Sequence, residues 1–233
     1  MKKIAIVTGG TSGIGLATAR ALTAGGYIVY TFSRRGGQAR DLSVDVTDEA
    51  AVASAVSQVV AAEGRLDLVV NCAGFGISGA VEFTETADAM RLFDVNFFGM
   101  VRVNRAALPH LRATGGRILN VSSVAAPVAI PFQAYYSCTK AAINDYSLAL
   151  ANEAKPFGIS VTAVMPGDIA TGFTAAREKS AAGDDVYGGR IQRSVHKMEL
   201  DEKNGMPPEA AGAYLAKIAG KRRVKGLYAI GWT

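Results

Sequence analysis

A glycine-rich turn near the amino terminus constrains the fold most strongly. The apolar run Ile4–Val7 has the length of a buried strand and leads into Thr8-Gly9-Gly10-Thr11-Ser12-Gly13-Ile14-Gly15, after which a helical apolar spacing runs to Ala24. Glycines allow a tight turn close to a ligand phosphate, and the helix N-terminus offers free N–H groups to that phosphate. The spacing differs from the common dinucleotide pattern, so the alternative is a plain turn. Its position between strand and helix favours nucleotide binding.

The rest of the chain alternates short β-branched runs with helical stretches. Strands are predicted at 27–32, 41–45, 66–70, 117–121, 159–164 and 227–230, and helices at 47–62, 86–113, 133–157 and 208–219. The strands are apolar on both faces, which is typical of parallel strands covered on both sides. This alternation predicts an α/β fold with a Rossmann-type, doubly wound parallel sheet of about seven strands and helices on both faces.

The domain organisation is predicted to be simple. No linker or shift in composition divides the 233 residues, so residues 1–233 are expected to form one dinucleotide-binding and catalytic domain. The segment at about 172–205 is polar and contains glycines, and we expect an irregular substrate lid there. No signal sequence or membrane span is recognised, and the two cysteines fit a reducing compartment. A cytoplasmic location is therefore expected.

The charge pattern bears on the choice of partner. The net charge is +5, and part of it comes from the basic run at 221–225. Such a run can bind nucleic acid or anionic lipid, but no aromatic residues are interleaved with it. A solvated helix end is the preferred interpretation and a nucleic-acid-binding module the alternative. We expect no nucleic-acid or membrane partner, and no metal, because no His/Cys/carboxylate cluster has ligand spacing.

Further motifs follow the glycine turn in a fixed order. They are Asp45-Val46, Asn71-Cys72-Ala73-Gly74, Asn96, Ser123, Tyr136-Ser137-Cys138-Thr139-Lys140 and Pro166-Gly167-Asp168-Ile169-Ala170-Thr171. Together they resemble the motifs of the classical short-chain dehydrogenase/reductase family along nearly the whole chain. The departure is Cys72, because the family's motif there is NNAG. The resemblance implies an enzyme that transfers hydride between NADP(H) and a carbonyl or secondary alcohol. A non-enzymatic NADP(H)-binding regulator on the same fold is the alternative.

The expected catalytic group is Asn96, Ser123, Tyr136 and Lys140. Tyr136 and Lys140 are four residues apart on a predicted helix and share a face. A nearby ammonium favours the phenolate, so we expect the pKa of Tyr136 to be lowered towards neutrality, which suits a general acid/base. Lys140 would tune Tyr136 and hold the nicotinamide ribose, and Ser123 would position the substrate oxygen. The resemblance implies that Asn96 orients a water.

Two of these assignments have neighbouring rivals. Tyr135 competes with Tyr136, and Ser122 competes with Ser123. The spacing to Lys140 and the thirteen-residue gap between serine and tyrosine favour Tyr136 and Ser123.

The end of the second strand indicates which cofactor is preferred. NAD-dependent enzymes usually carry an acid there, which accepts the ribose hydroxyls and repels a 2′-phosphate. Here Ser33, Arg34 and Arg35 follow Phe32, so NADP(H) is preferred over NAD(H), with Arg34 the better placed arginine; a merely solubilised turn is the alternative. The predicted cofactor-binding residues are Gly9, Thr11, Ser12, Gly13, Ile14, Gly15, Ser33, Arg34, Arg35, Asp45, Val46, Asn71, Ala73, Gly74, Tyr136, Lys140, Pro166, Gly167, Ile169 and Thr171.

Two segments are expected to surround the substrate. The first is the apolar stretch 124–132, and the second is the lid, which carries aromatic and basic residues and His196. An apolar wall suggests a lipophilic small-molecule carbonyl or alcohol. The resemblance further implies a homodimer or homotetramer that pairs through the helices at 86–113 and 133–157.

Overall fold

A parallel sheet organises the protein. The computed structural model describes residues 2–36 and 39–231. In chain order the elements are β1 Ile4–Thr8, α1 Gly13–Ala24, β2 Ile28–Ser33, β3 Asp41–Ser43, α2 Glu49–Glu63, β4 Leu68–Asn71, β5 Ile77–Ser78, α3 Thr86–Phe93, α4 Gly99–Thr114, β6 Arg117–Val121, α5 Ala134–Ala154, β7 Ser160–Pro166, α6 Phe173–Ala176, β8 Glu178–Lys179, α7 Arg190–Lys203, α8 Pro208–Ala219 and β9 Leu227–Ile230. Short 3₁₀ turns lie at Val81–Phe83 and Lys155–Phe157.

The seven-stranded sheet has the order β3-β2-β1-β4-β6-β7-β9, and every pairing in it is parallel. The order of the strands reverses between β1 and β4. In open α/β sheets this switch point opens a crevice at the carboxyl ends of the strands, where ligands bind. The predicted doubly wound α/β fold is confirmed.

Two apolar cores cover the sheet, one on each face. Ile4 and Ile6 of β1 pack with residues of α2, α4 and α5, whereas Ala5 and Val7 pack with residues of α1 and α8. Successive strand side chains point to opposite faces, so an uninterrupted apolar strand serves both cores. The same central strands therefore hold helices from both sides while their carboxyl ends remain free to form a site.

The lid differs from its prediction. Residues 172–205 are not an irregular loop, because they contain α6, β8 and the 14-residue helix α7. The start of α7 is stabilised by Asp184, whose carboxylate accepts hydrogen bonds from the backbone N–H groups of Ile191 and Gln192. Ile191 is the only fully buried residue of this helix, so the apolar period that usually reveals a helix is weak. The strand β8 pairs with β5 in a second, two-stranded sheet that the sequence did not predict.

The predicted helix at 86–113 is formed by two α-helices joined by a π-helical segment, Asp94–Phe98. Single π-turns within helices occur frequently at functional sites, and Asn96 lies in this one. Among the helices of the described residues, none is long and apolar enough to cross a membrane.

Candidate active site

A cavity of about 400 Å³ opens at the carboxyl ends of the central strands. Its lining comes from the glycine turn after β1, the loops after β4, β6 and β7, the start of α5, and the lid. It is the crevice that the topology predicts. Segments that are far apart in the sequence meet in this cavity.

The glycine turn is shaped by steric limits on its backbone. Gly9 has a φ of +64°, and a Cβ there would come within 3.0 Å of the backbone nitrogen of Ala73. A Cβ on Gly15 would lie 2.2 Å from the carbonyl oxygen of Gly9. The Thr8 hydroxyl accepts hydrogen bonds from the N–H groups of Cys72 and Ala73, which ties the turn to the loop after β4. The backbone at the start of α1 can therefore approach an anionic group closely.

Most of the predicted phosphate residues line the cavity, namely Gly9, Ser12, Gly13, Ile14 and Gly15. Thr11 is not among the lining residues. The predicted residues from the loop after β4, Ala73 and Gly74, and those after β7, Pro166, Gly167, Ile169 and Thr171, also lie in the wall.

The two arginines after β2 occupy different positions. Arg35 lines the cavity, whereas Arg34 and Ser33 do not. The N–H of Thr47 holds the pKa of Asp45 below its ordinary value, and the charge of Arg34 acts in the same direction. Arg35 and not Arg34 therefore lies in the cavity wall, and the expectation that Arg34 is the better placed arginine stays a prediction. The buried hydroxyl of Ser33 has no hydrogen-bond partner within the described residues.

Two further predicted cofactor residues, Asp45 and Val46, stand outside the cavity wall. The Asp45 carboxylate accepts hydrogen bonds from the backbone and hydroxyl of Thr47. Val46 is buried and packs so closely on Gly99 that a Cβ there would lie 2.6 Å from it. Both residues therefore shape the adjoining turn in this structure, rather than the wall itself.

Asn71 also departs from its predicted role. Its side-chain amide donates to the Oδ1 atoms of Asn104 and Asn120, at 2.8 and 2.9 Å, and Asn120 donates in turn to Ser147. This network is buried and joins β4, α4, β6 and α5. Buried amides require partners, so the Asn71 side chain points into the network and not to the cavity.

Tyr136 and Lys140 lie on one face of α5, as their spacing predicts, and both line the cavity. The Ser123 hydroxyl also lines the cavity and favours the phenolate form of Tyr136. The Lys140 ammonium lies 5.5 Å from the centre of the Tyr136 ring and donates to the carbonyl oxygen of Val121. Tyr135 is not in the wall, and Ser122 uses its hydroxyl to donate to the Lys140 carbonyl. The geometry therefore brings together Tyr136, Ser123 and Lys140.

The acid–base properties of this group are partly unexpected. Burial raises the pKa of Tyr136 to about 12, although the Ser123 hydroxyl and the Arg177 charge oppose this shift. The predicted lowering is wrong, because desolvation of the phenolate outweighs the neighbouring charges. Burial also lowers the pKa of Lys140 to about 8. At neutral pH Tyr136 is therefore a hydroxyl that can donate a proton.

Asn96 lies behind this group. It is 1% exposed, and its amide exchanges two hydrogen bonds of 2.9 Å with the backbone of Phe75. A Cβ on Gly74 would lie 2.9 Å from Asn96 Oδ1 and 4.0 Å from Lys140 Nζ, so both side chains flank that glycine. Asn96 thus fixes the loop after β4 against the π-helical segment, outside the cavity wall.

The other half of the cavity is mostly apolar. Its wall contains Phe75, Val124, Ala125, Ile130, Phe173, Ala176 and Met198, together with Gln133 and Glu202. Gln133 donates a hydrogen bond to the Met198 sulfur, and the Phe173 and Tyr136 ring centres are 5.8 Å apart. His196, which the sequence left open, is exposed and is not in the wall. The sequence reasoning missed Phe75 and Glu202, because neither belongs to a recognisable motif.

Comparison with known proteins identifies the family. The family described as short chain dehydrogenase matches residues 3–182. The chain belongs to this family. A 3-ketodihydrosphingosine reductase of Bacteroides thetaiotaomicron is 40% identical over 94% of this chain and 84% of its own. A probable short-chain type dehydrogenase/reductase of Helicobacter pylori, VdlC, is 30% identical over 98% of this chain and 88% of its own.

Solved structures agree with this assignment. A short-chain dehydrogenase from Streptomyces avermitilis has a TM-score of 0.90 at 32% identity and covers 100% of this chain and 89% of its own. ElxO with NADP bound has a TM-score of 0.81 at 26% identity over 99% and 97% of the two chains. The chain is therefore an oxidoreductase of this family that uses a nicotinamide cofactor and a small-molecule substrate. These relatives do not favour the non-enzymatic regulator.

Proposed function

We propose that this enzyme reduces a lipophilic ketone to a secondary alcohol with NADPH, with Tyr136 as the proton donor. The observation that carries the proposal is that Tyr136, Ser123 and Lys140 line one cavity between the glycine turn and the apolar half. At this position Tyr136 can donate a proton to the carbonyl oxygen of a substrate while the carbonyl carbon faces the cofactor side of the cavity.

The residues of the cofactor side fit a dinucleotide. The glycine turn leaves room for a pyrophosphate at the start of α1, and Arg35 adds a guanidinium to the same cavity. A guanidinium presents two parallel N–H groups to a phosphate, so Arg35 supports a preference for NADPH over NADH. When bound, the nicotinamide supplies the hydride that is added to the carbonyl carbon.

The protein residues handle the proton and the position of the substrate. Ser123 and Tyr136 hold the carbonyl oxygen, and the Tyr136 O–H bond breaks as its proton passes to that oxygen. The resulting phenolate lies near the Lys140 ammonium, whose charge stabilises it and whose lowered pKa eases return of a proton. Lys140 also remains close enough to the cavity to hold a ribose hydroxyl. For Asn96 we propose a supporting role through the Phe75 loop.

The substrate half favours an apolar molecule. Its wall is formed mainly by aliphatic and aromatic side chains, which bind lipophilic groups by excluding water. The relative from Bacteroides thetaiotaomicron is named for a lipid ketone, which makes 3-ketodihydrosphingosine the first substrate to test.

The proposal is tested with a panel of ketones and two cofactors. Consumption of NADPH and of NADH is followed with 3-ketodihydrosphingosine, simple medium-chain ketones and small polar ketones. We expect kcat/KM to rise with apolar length, and to be at least about tenfold higher with NADPH, which corresponds to one charge-assisted contact. A preference for polar ketones would contradict the substrate class, and a preference for NADH would contradict the cofactor.

The location and assembly of the enzyme remain predictions. We propose a cytoplasmic homodimer or homotetramer that pairs through α4 and α5. The side chains of Phe98, beside the start of α4, and of Leu148 on α5 are exposed and apolar. Light scattering of the purified protein tests the assembly, and a monomer at micromolar concentration would contradict it.

A further inference from the structure

The lid contains a buried ion pair that the proposed reaction does not use. Arg177 lies between α6 and β8, its side chain is 1% exposed, and its guanidinium pairs with the Glu202 carboxylate of α7. The Thr174 hydroxyl donates to the other Glu202 oxygen at 2.6 Å. Two further guanidinium nitrogens, Nε and Nη1, are buried without a partner in the described part of the chain. Burying two charges is costly, and an apolar pair would often be as stable.

The pair is connected to Tyr136 by direct packing. The Arg177 guanidinium carbon lies 5.5 Å from the centre of the Phe173 ring, and that ring packs against Tyr136. Phe173 and Glu202 both line the cavity. The position of Arg177 therefore determines where Phe173 meets the tyrosine.

The position of Arg177 is itself fixed by the two-stranded sheet. The N–H of Glu178 donates to the Gly76 carbonyl, and the N–H of Ser180 donates to the Ser78 carbonyl. A Cβ on Gly76 would lie 3.0 Å from the Phe173 ring and 3.4 Å from Arg177 Nε. The lid is thus held to the loop after β4 at the point where it presents Arg177.

We propose that Arg177 and Glu202 are positioning residues that hold the Tyr136 hydroxyl through Phe173 and act on its proton transfer with opposite charges. This inference rests on the proposed role of Tyr136. The guanidinium lowers the pKa of Tyr136, and the carboxylate raises it. The other titratable groups of the cavity wall are Lys140, which lies beside the tyrosine ring, and Cys72, Asp168 and Arg35, and Ser123 is a neutral polar group of the same wall. The cation and the anion of one ion pair should therefore affect the reaction in opposite directions.

The test compares Arg177→Met, Glu202→Gln and the double variant. The rate of alcohol oxidation rises with pH as Tyr136 becomes able to accept a proton, and this rise is measured as kcat against pH. We expect Arg177→Met to move the rise to higher pH by about 0.5–1 unit, and Glu202→Gln to move it to lower pH by a similar amount. The double variant should return the rise close to that of the parent enzyme.

The control is an ion pair on the same helix. Lys197 and Asp201 pair on the exposed face of α7, so Lys197→Met removes a Lys–Asp pair from the solvent side of the helix that carries Glu202. We expect it to leave the pH profile and the melting temperature nearly unchanged. Arg177→Met leaves Glu202 buried without its cation, so its melting temperature should fall by about 5–10 °C. If Arg177→Met does not fold, Glu202→Gln and the double variant still decide the result.

Failure of this inference can be told apart from failure of the proposed function. If Arg177→Met and Glu202→Gln both lower kcat but leave the pH profile in place, or move it in the same direction, the pair is structural and the inference is wrong. If Tyr136→Phe retains turnover, the proposed function fails. Because the pKa of Tyr136 is about 12 without cofactor, its phenolate absorbance is compared at one pH of about 11, as parent minus Tyr136→Phe in each background, and then still reports the effect of the pair. Opposite changes in that absorbance support the pair's action on Tyr136, and equal or absent changes overturn it.

Discussion

The two halves of the cavity are built in different ways. On the cofactor side, backbone geometry does most of the shaping, because Gly9 and Gly15 sit where a Cβ would collide with neighbouring backbone. On the substrate side, side chains from the loops after β4 and β6 and from the lid form the wall, and the Arg177–Glu202 ion pair supports it, with Glu202 itself in the wall. A steric requirement for glycine leaves a clear mark in a sequence, whereas a side-chain wall can be formed by many residue types. The cofactor half is therefore the more predictable half.

The largest expected effect comes from Tyr136, which lies between the cofactor half and the substrate half of the cavity. Tyr136→Phe should lower kcat about a thousandfold, within the range of general acid catalysis, because the lost hydroxyl is the proton donor. NADPH affinity, measured by fluorescence titration, should change by less than about threefold, and the lid should be unaffected. The matched control is Tyr135→Phe, which alters the adjacent tyrosine outside the wall. If Tyr136→Phe kept more than a tenth of the activity, the assigned donor would be wrong.

We expect Lys140→Met to lower the activity of the enzyme and to raise its free energy of unfolding at pH 7. It removes the cation beside Tyr136, so kcat should fall about a hundredfold, and NADPH affinity should fall as well. Burial holds the pKa of Lys140 at about 8 in the folded protein, well below its ordinary value of 10.5. Such a shift corresponds to a cost of about 3 kcal/mol at pH 7, partly offset by about 1 kcal/mol for the hydrogen bond to Val121.

The difference in stability between the parent protein and Lys140→Met depends on pH. Below pH 8 the lysine is protonated in both states and the folded protein bears the full cost of burying the charge. Between about pH 8 and 10.5 the unfolded state binds the extra proton, so rising pH stabilises the parent protein and removes its disadvantage. Urea unfolding should therefore show Lys140→Met to be about 2 kcal/mol more stable at pH 7 and no more stable at pH 10.5. A variant that is less stable at pH 7 would contradict the burial cost.

Substitution of Arg35 should change the cofactor preference without changing the binding of the ketone. Arg35→Ala should reduce the ratio of kcat/KM for NADPH over NADH by about tenfold, as the loss of one charge-assisted contact predicts. Arg34→Ala is the matched control and should change the ratio by less than about threefold, because Arg34 lies near Asp45 and outside the wall. The KM for the ketone should be the same in both variants. A larger effect at Arg34 would support the assignment made from the sequence.

The smallest expected effect concerns the motion of the lid. We expect residues 172–205 to be cleaved more slowly by protease when cofactor and ketone are bound, by about two- to fivefold, because lids of this kind close on their ligands. Cleavage elsewhere in the chain serves as the internal reference. Equal cleavage of the lid with and without ligands would show that the lid is already closed without them. The substrate half of the cavity would then be as preformed as the cofactor half.

The correct predictions from the sequence concern features that have a local signal in the sequence. The strand Arg117–Val121 and the helix Pro208–Ala219 appear with the predicted bounds, because each has a clear apolar period and a clear end. Tyr136 and Ser123 were distinguished from their neighbours by spacing alone, and the structure places both at the cavity. These predictions rest on local rules that tertiary contacts do not change.

The errors have a common physical origin. The pKa of Tyr136 depends on desolvation, which a sequence does not display. Asn71 has its partners on α4 and β6, and Arg177 finds Glu202 25 residues further along the chain. The helix α7 buries Ile191 fully and little else, so its period is hard to detect. Each error concerns an interaction that exists only after distant segments have come together.

The short pairing of β5 with β8 has a consequence for redesign of the enzyme. It fixes the lid at residues 178–180, next to the loop that carries Gly74 and Phe75. Cavity-facing positions further along the lid, such as Met198, lie on a separate helix and can be exchanged without moving that attachment. A library at such positions should therefore yield enzymes with new ketone preferences and the original cofactor kinetics, provided that Glu199 and Glu202, which pair with Lys179 and Arg177 at the attachment, are left unchanged. Changes at Gly76 should instead alter both, because that glycine borders the fixed point of the lid.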